Sequence, residues 1–312
     1  MNILEIIKWA TGYKLIEMII NAIKGGGSNG GSSGSLWKCS MFFPYKSSPW
    51  PGNSGVDSPL SFASCHGNSW ENAFRQNCYR QIQAMGGDTI IYIAERLYGH
   101  DVPHLELQMF LTNRAHPVDG HRMNDSENEV VKARAYGVNR WIVSLFNDDN
   151  TYFNGGNPKV FNATVFEDYI KQMCECYSWA TVDEVAFMTC LESDERFNVN
   201  QWTQIIGWIR KYNNGKRIIV GSANAGFLKA VRAANKDVEM WAETSTEIGG
   251  DGHPFKLNMS NADAYVSKLK DLIKTGKTWA GEYGDGSNAA VAYVSQKAID
   301  AGCAGIGCYK KG

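Results

Sequence analysis

The sequence contains no CxxC pair, although cysteine occurs eight times in its 312 residues. Cys39, Cys65, Cys78, Cys174, Cys176, Cys190, Cys303 and Cys308 are scattered along the chain. Cys174 and Cys176 stand two apart in a helical stretch, so their side chains diverge instead of sharing a metal. A chain of this length needs no disulfide framework. Most of the cysteines read as buried free thiols, with one or two bridges left open. No basic excess is present either: 31 Lys and Arg stand against 32 Asp and Glu, a formal net charge of −1. That balance leaves no electrostatic footprint for nucleic acid or an anionic membrane. No HExxH motif occurs. His100, His104, His116 and His121 fall in one polar stretch, which reads as a solvated loop before it reads as a metal site. No cofactor is expected.

The first 24 residues, MNILEIIKWATGYKLIEMIINAIK, are apolar but do not form a membrane span, because Glu5, Lys8, Lys14 and Glu17 interrupt them. No small-residue cleavage site follows, so a signal peptide is not expected. Ile6, Trp9, Tyr13, Ile16, Ile20 and Ile23 alternate three and four apart, the spacing of a coiled-coil seam. Such a helix is expected to associate with itself or to dock on another protein. Residues 25–35, GGGSNGGSSGS, form a flexible coil by composition, natural or engineered. The expected division is therefore a helical anchor at 1–24, a linker at 25–35 and a globular body at 36–312.

In the body, apolar runs alternate with helical periodicity. Strands are expected at 38–45, 88–96, 140–148, 183–192, 217–223, 238–244, 278–284 and 304–310. Helices are expected at 69–87, 127–138, 162–179, 198–215, 224–237, 260–276 and 287–302. Repeated βα units give a parallel sheet with right-handed crossovers, and eight of them make a (β/α)8 TIM barrel. The long connections, 46–68, 97–126 and 245–259, all follow strands. They therefore belong to the C-terminal face, where such barrels carry their sites. A doubly wound open sheet is the competing fold. It normally has a Gly-rich turn after its first strand, and FFPYKSSPWPG is unlike one.

Three expected strands finish in glutamate: MTCLE in Glu192, WAE in Glu243 and TWAGE in Glu282. Strands four and seven lie across the barrel mouth from each other. Two carboxyl groups across a cleft are what glycosidic bond cleavage requires, one to protonate the leaving oxygen and one to attack the sugar carbon or activate water. Glu243 and Asp148, beside Asp149, Asp194 and Glu195, are further acidic groups expected near the mouth to bind sugar hydroxyls, cap helices or face water. Aromatic residues make up 12% of the chain, with ten Trp. Most of these fill a large core, while Trp50 in a long loop is a candidate stacking surface. His66 in the same loop and Tyr283 beside Glu282 are further candidate substrate contacts. Trp241 and Trp279 are candidate stacking surfaces as well, but they lie within strands, where core packing is an equal reading.

Glutamates at the ends of strands four and seven resemble the clan of retaining (β/α)8 glycoside hydrolases that contains the cellulase-type family five. AGEYG is similar to the GEFG stretch around the nucleophile of that family. The resemblance implies Glu282 as nucleophile and Glu192 as acid/base. It also implies that Arg96, in IAER, is the arginine that supports the nucleophile. Two departures accompany it. Leu191 precedes Glu192 where the clan has asparagine, and GIGCYKKG lacks the clan's tryptophan platform. A polysaccharide is the expected ligand, cleaved by a retaining mechanism. The alternative is a non-catalytic adhesion or decoration protein of a virion built on a degenerate barrel. An anchor helix, a linker and no export signal fit a phage appendage made in the cytoplasm and displayed on the particle.

Deleting residues 1–35 is expected to leave a folded, soluble barrel with an unchanged thermal transition and less self-association by sedimentation. Loss of the cooperative transition would refute the division at residue 36.

Overall fold

The computed structural model describes residues 36–43, 79, 83, 87–93, 133–146, 161–177, 180–244, 257–284 and 288–311. The expected anchor, the linker and the three long connections lie outside these residues, apart from Leu257–Met259 at the end of the third. Eight strands form one closed barrel in chain order. They are β1 (Trp37–Phe43), β2 (Thr89–Ile93), β3 (Arg140–Ser144), β4 (Val185–Met188), β5 (Arg217–Ser222), β6 (Glu239–Ala242), β7 (Thr278–Gly284) and β8 (Gly305–Lys311). Every neighbouring pair is parallel, including β8 with β1. This is the (β/α)8 architecture read from the sequence. The described helices are α1 (Ala163–Cys176), α2 (Ser193–Arg196), α3 (Val199–Tyr212), α4 (Ala225–Ala234), α5 (Met259–Ile273) and α6 (Asn288–Asp300). The short α2 was not expected, because the fourth strand stops at Met188 and the chain turns before α3.

Asparagine starts the long helices. The side chains of Asn162, Asn198, Asn224 and Asn258 accept backbone N–H groups at the heads of α1, α3, α4 and α5. Each satisfies donors that the helix itself leaves unpaired. Asn198 and Asn258 complete reciprocal capping boxes with Gln201 and Asn261. At the other end of α3, Asn214 and Gly215 take positive φ values of 52° and 77°. Asn-Gly tolerates that geometry and stops the helix.

Alternation along each strand sorts side chains into two cores. Trp141, Val143, Phe187, Val220, Met240, Ala280 and Tyr283 face outward and pack beneath the helices. Trp37, Ile142, Met188, Ile219, Trp241 and Trp279 fill the barrel. Three indoles in one barrel leave little room on the facing strands. A Cβ on Gly305 would come within 2.2 Å of the Trp279 ring, and one on Gly307 within 2.1 Å of Trp241. A Cβ on Gly281 would meet Trp241 Nε1 at 2.3 Å. Glycine stands there because the rings occupy the space that side chains would need. The N-terminal end of the barrel is sealed by charge on aromatic faces. The Arg140 and Arg217 guanidinium groups lie 5.1 and 4.9 Å from the Trp37 ring centre. Buried Glu239 accepts the Trp279 indole N–H at 2.7 Å and faces Arg217 and Lys277 at 3.7 and 3.5 Å.

The barrel also contains one irregularity. Between Ala280–Ile306 and Tyr283–Cys308 the register of β7 on β8 shifts, so Gly281 and Glu282 together oppose Gly307. This is a β-bulge, and it changes the phase of the strand. Trp279 faces the barrel interior, yet Tyr283, four residues on, faces the helix layer.

Gly307→Ala is expected to destabilise the barrel by about 1–3 kcal/mol through overpacking against Trp241. Trp241→Phe removes the six-membered ring atoms it would strike. The double variant should therefore lose less than the sum of the two single losses in denaturant unfolding, and strict additivity would refute the contact.

Candidate active site

The C-terminal ends of β4, β5 and β6 come together at the barrel mouth through hydrogen bonds that continue past the strands. Thr189 N–H donates to Ile219 O at 2.9 Å, and Glu243 N–H donates to Ser222 O at 3.1 Å. Glu243 follows β6 on the inward phase set by Glu239 and Trp241. It is 1% exposed. Its carboxylate accepts the backbone N–H of Glu192, with both oxygens 3.3 Å from that nitrogen. Gly221 of β5 makes room for it, because a Cβ there would lie 2.8 Å from Glu243 Oε1 and 2.5 Å from Cys190 O. Lys268 of α5 donates its ammonium to the Glu243 carbonyl at 2.8 Å and also to the Ala223 carbonyl. One cation thus ties the exits of β5 and β6 together.

Glu192 sits four residues beyond β4, half-buried, at φ 49° and ψ 42°. Among the described residues it shares positive φ, outside glycine, only with Asn214. Asn214 belongs to a residue type that tolerates the left-handed region, and glutamate does not. Holding a Cβ residue there costs roughly 1–2 kcal/mol, and such residues gather at functional sites. Several bonds keep it in place. Ser193 is fully buried and its hydroxyl donates to Cys190 O at 3.0 Å. The Trp202 indole N–H of α3 donates to Ser193 O at 2.6 Å. Arg196, 6% exposed, rests on the Phe146 ring with its guanidinium 4.9 Å from the ring centre. Asp194 accepts the Ser222 hydroxyl at 2.5 Å, which leashes α2 to β5.

Below this layer, Tyr265 donates its hydroxyl to Ala242 O at 2.6 Å, with Gly281 O at 3.1 Å, joining β6 to β7. Burial pushes the Tyr265 hydroxyl well above its usual pKa, and the nearby Tyr283, Cys303 and Glu243 push it the same way. It therefore remains a proton donor to both carbonyls at any physiological pH. Burial also pushes the Cys303 thiol up to about 12, so it is inert packing. Cys39, Cys174, Cys190 and Cys303 are all buried.

The expected site residues fall out as follows. Glu192 and Glu243 meet at the mouth through the backbone bond just described. Glu282 is placed in β7 at the bulge, and its side chain lies outside the described residues. Arg96, Trp50, His66, Asp148 and the other histidines also lie outside them. Tyr283 departs from the expectation. It is fully buried against the helices, its ring 5.9 Å from that of Tyr265 and its hydroxyl 2.7 Å from the Ser295 hydroxyl of α6. The bulge before it supplies the reason, since one extra residue turns Tyr283 away from the interior. Of the two readings open for Trp241 and Trp279, the structure shows core packing, with both rings buried in the barrel interior. Gly221, Lys268, Ser222 and Arg196 were not singled out from the sequence. A glycine inside the apolar run RIIVGS is the one available signal, because a strand glycine marks a close approach. Among the described residues, no group of three or more His, Cys, Asp or Glu side chains is disposed to hold a metal ion.

No protein family and no curated protein sequence matches this chain. Solved structures do match in fold. The exo-β-1,4-mannosidase Op5Man5 of Opitutaceae bacterium strain TAV5 aligns with a TM-score of 0.56 at 12% identity over 88% of this chain. This chain spans 52% of that protein's length. Cel5A of Thermotoga maritima, solved with mannotriose, aligns with a TM-score of 0.52 at 10% identity, covering 89% of this chain and 91% of its own. The endoglucanase Cel5A of Pseudomonas stutzeri, solved with cellobiose, aligns at 0.51 and 13%, covering 75% and 74%. At these identities the likeness is one of fold: the body is a (β/α)8 barrel like those of glycoside hydrolases.

Because Glu192 carries left-handed strain, Glu192→Gly is expected to be about 1 kcal/mol more stable than Glu192→Ala. Neither variant keeps the carboxylate, so the comparison isolates the backbone. Equal unfolding midpoints would contradict the strain.

Proposed function

We propose that the barrel is a retaining glycoside hydrolase acting on a polysaccharide. Glu282 serves as the nucleophile and Glu192 as the acid/base. The observation that carries this reading is the strained Glu192, held at the mouth of a glycosidase-like barrel by a buried carboxylate. In the first step Glu282 attacks the anomeric carbon while Glu192 protonates the departing glycosidic oxygen. A covalent glycosyl ester forms and the aglycone leaves with the proton. In the second step Glu192 takes a proton from water, the oxygen of that water attacks the anomeric carbon, and Glu282 is released. In this reading Arg96 is assigned to steady the nucleophile, and Trp50, His66 and Asp148 are assigned as sugar contacts. The fold neighbours act on or bind mannosides and cellobiose. A β-1,4-linked hexose chain is therefore the first substrate class to try.

One observation favours a second reading, in which the barrel binds glycan without cutting it and serves as a virion adhesin tethered through residues 1–35. Leu191, which stands where the resembled clan has asparagine, is 7% exposed and packs into the barrel interior with Met188 and Trp241. A leucine there supplies no hydrogen bond to a sugar hydroxyl.

Hydrolysis and binding of a panel of aryl glycosides and β-linked polysaccharides separate the two readings. With the hydrolase, Glu282→Gln abolishes turnover, by about 10²-fold or more, while glycan still binds. Glu192→Gln loses turnover on poor leaving groups and retains it on activated ones. Binding without hydrolysis by the wild type on every substrate selects the adhesin. Equal hydrolysis by all three proteins removes both glutamates from the chemistry.

A further inference from the structure

We infer that Glu243 is the positioning residue for Glu192: its buried carboxylate fixes the backbone of the acid/base residue, not the sugar. The role rests on the hydrolase reading of Glu192 given above. Four observations carry it. The Glu243 oxygens each lie 3.3 Å from the Glu192 backbone nitrogen, 51 residues away in sequence. The carboxylate belongs to a residue sunk below the surface, at 1% exposure. The strand beneath it is cut back to glycine at position 221, so the fold reserves this volume for those oxygens. The residue whose N–H it accepts is the one in an unfavourable left-handed conformation, φ 49°.

These facts fit together physically. The Glu192 N–H is shared between the two carboxylate oxygens, a long, forked contact at 3.3 Å to each. It acts at the residue that would otherwise relax to a right-handed or extended backbone. Such a rotation at Glu192 swings its side chain away from the mouth. General-acid catalysis depends on that placement, since misplacing a reacting group by about 1 Å can cost 10²-fold in rate. Lys268 completes the arrangement from the other side by holding the Glu243 main chain through its carbonyl. Glu243 itself exchanges no proton with substrate and forms no bond to sugar.

Glu243→Ala, Glu243→Gln and Glu239→Gln test this. Glu239 is a buried carboxylate at the far end of the same strand, bonded to the Trp279 indole N–H, so its variant reports structural loss alone. The first readout is the Glu192 amide in 15N-glutamate-labelled protein, assigned by its absence in Glu192→Gln. In Glu243→Ala this amide proton should move upfield. In Glu243→Gln, which keeps one acceptor oxygen, it should stay near its wild-type position, and in Glu239→Gln it should not move. The second readout is kcat on aryl glycosides of graded leaving-group acidity. Glu243→Ala should lose about 10–100-fold on a poor leaving group and under about 3-fold on an activated one, with KM little changed. Glu243→Gln should recover most of that loss. An unmoved Glu192 amide in Glu243→Ala overturns the proposal, as does a loss equal across leaving groups or one matched by Glu239→Gln. A wild type inert on every glycoside, with the amide shift present, overturns the hydrolase reading and leaves Glu243 as a backbone clamp only. Should Glu243→Ala fail to fold, Glu243→Met, which fills a similar volume without an acceptor oxygen, takes its place with the same expected amide shift and leaving-group profile, and an unmoved amide there overturns the proposal.

Discussion

Three indoles occupy the inside of this barrel, and they can do so only because glycine faces them. Trp37 meets Trp279 edge-on at 5.9 Å, and Trp279 lies against Trp241 at 5.7 Å. The volume is taken from β7 and β8 through Gly281, Gly305 and Gly307. This packing has a polar cost. Among the described residues the Trp241 indole N–H is buried with no hydrogen-bond partner. A donor left so costs about 1–3 kcal/mol, which the burial of a ring this size offsets. In return the interior is filled up to Trp241, and everything beyond it in β6 belongs to the mouth. Glu243 is the next inward position. The floor of the candidate site is therefore an indole, and its first polar group is a carboxylate.

From that carboxylate the geometry of the mouth follows. Glu243 is anchored below by Lys268 and reaches across β5 at Gly221 to the Glu192 backbone. The β4 exit is pinned independently by Trp202 on Ser193, by Ser222 on Asp194 and by Arg196 on Phe146. A loop held by so many contacts can keep one residue in a costly conformation. The fold alone would not make this a glycosidase, because a barrel of this type carries many chemistries. The strained glutamate and its buried clamp turn the likeness of fold into a chemical proposal.

Much of the barrel was legible because alternation and periodicity report burial directly. The eight strands stand within a few residues of where RWIVS, RIIVGS and their counterparts placed them, and Asn162 caps its helix as its position implied. The errors have physical causes. The apolar run VAFMTCL conceals the end of the strand at Met188, because Thr189–Leu191 remain buried after the strand stops. Tyr283 departs from the mouth because a bulge is a property of pairing with the next strand and is invisible in TWAGEYG alone. Nor could sequence show the strain at Glu192. Glutamate has no preference for the left-handed region, and the carboxylate that accepts its backbone N–H lies 51 residues distant. Glu243 was recognised as a mouth carboxylate, but the identity of its partner, a backbone amide, is a tertiary fact.

The most direct test is the separation of the Glu192 and Glu282 carboxyl groups in a crystal structure of the barrel with a saccharide bound at the mouth. A retaining pair stands about 5–5.5 Å apart across the glycosidic oxygen, and that is the expected result. A separation beyond about 10 Å, or either carboxylate turned into the helix layer, would contradict the paired-glutamate mechanism.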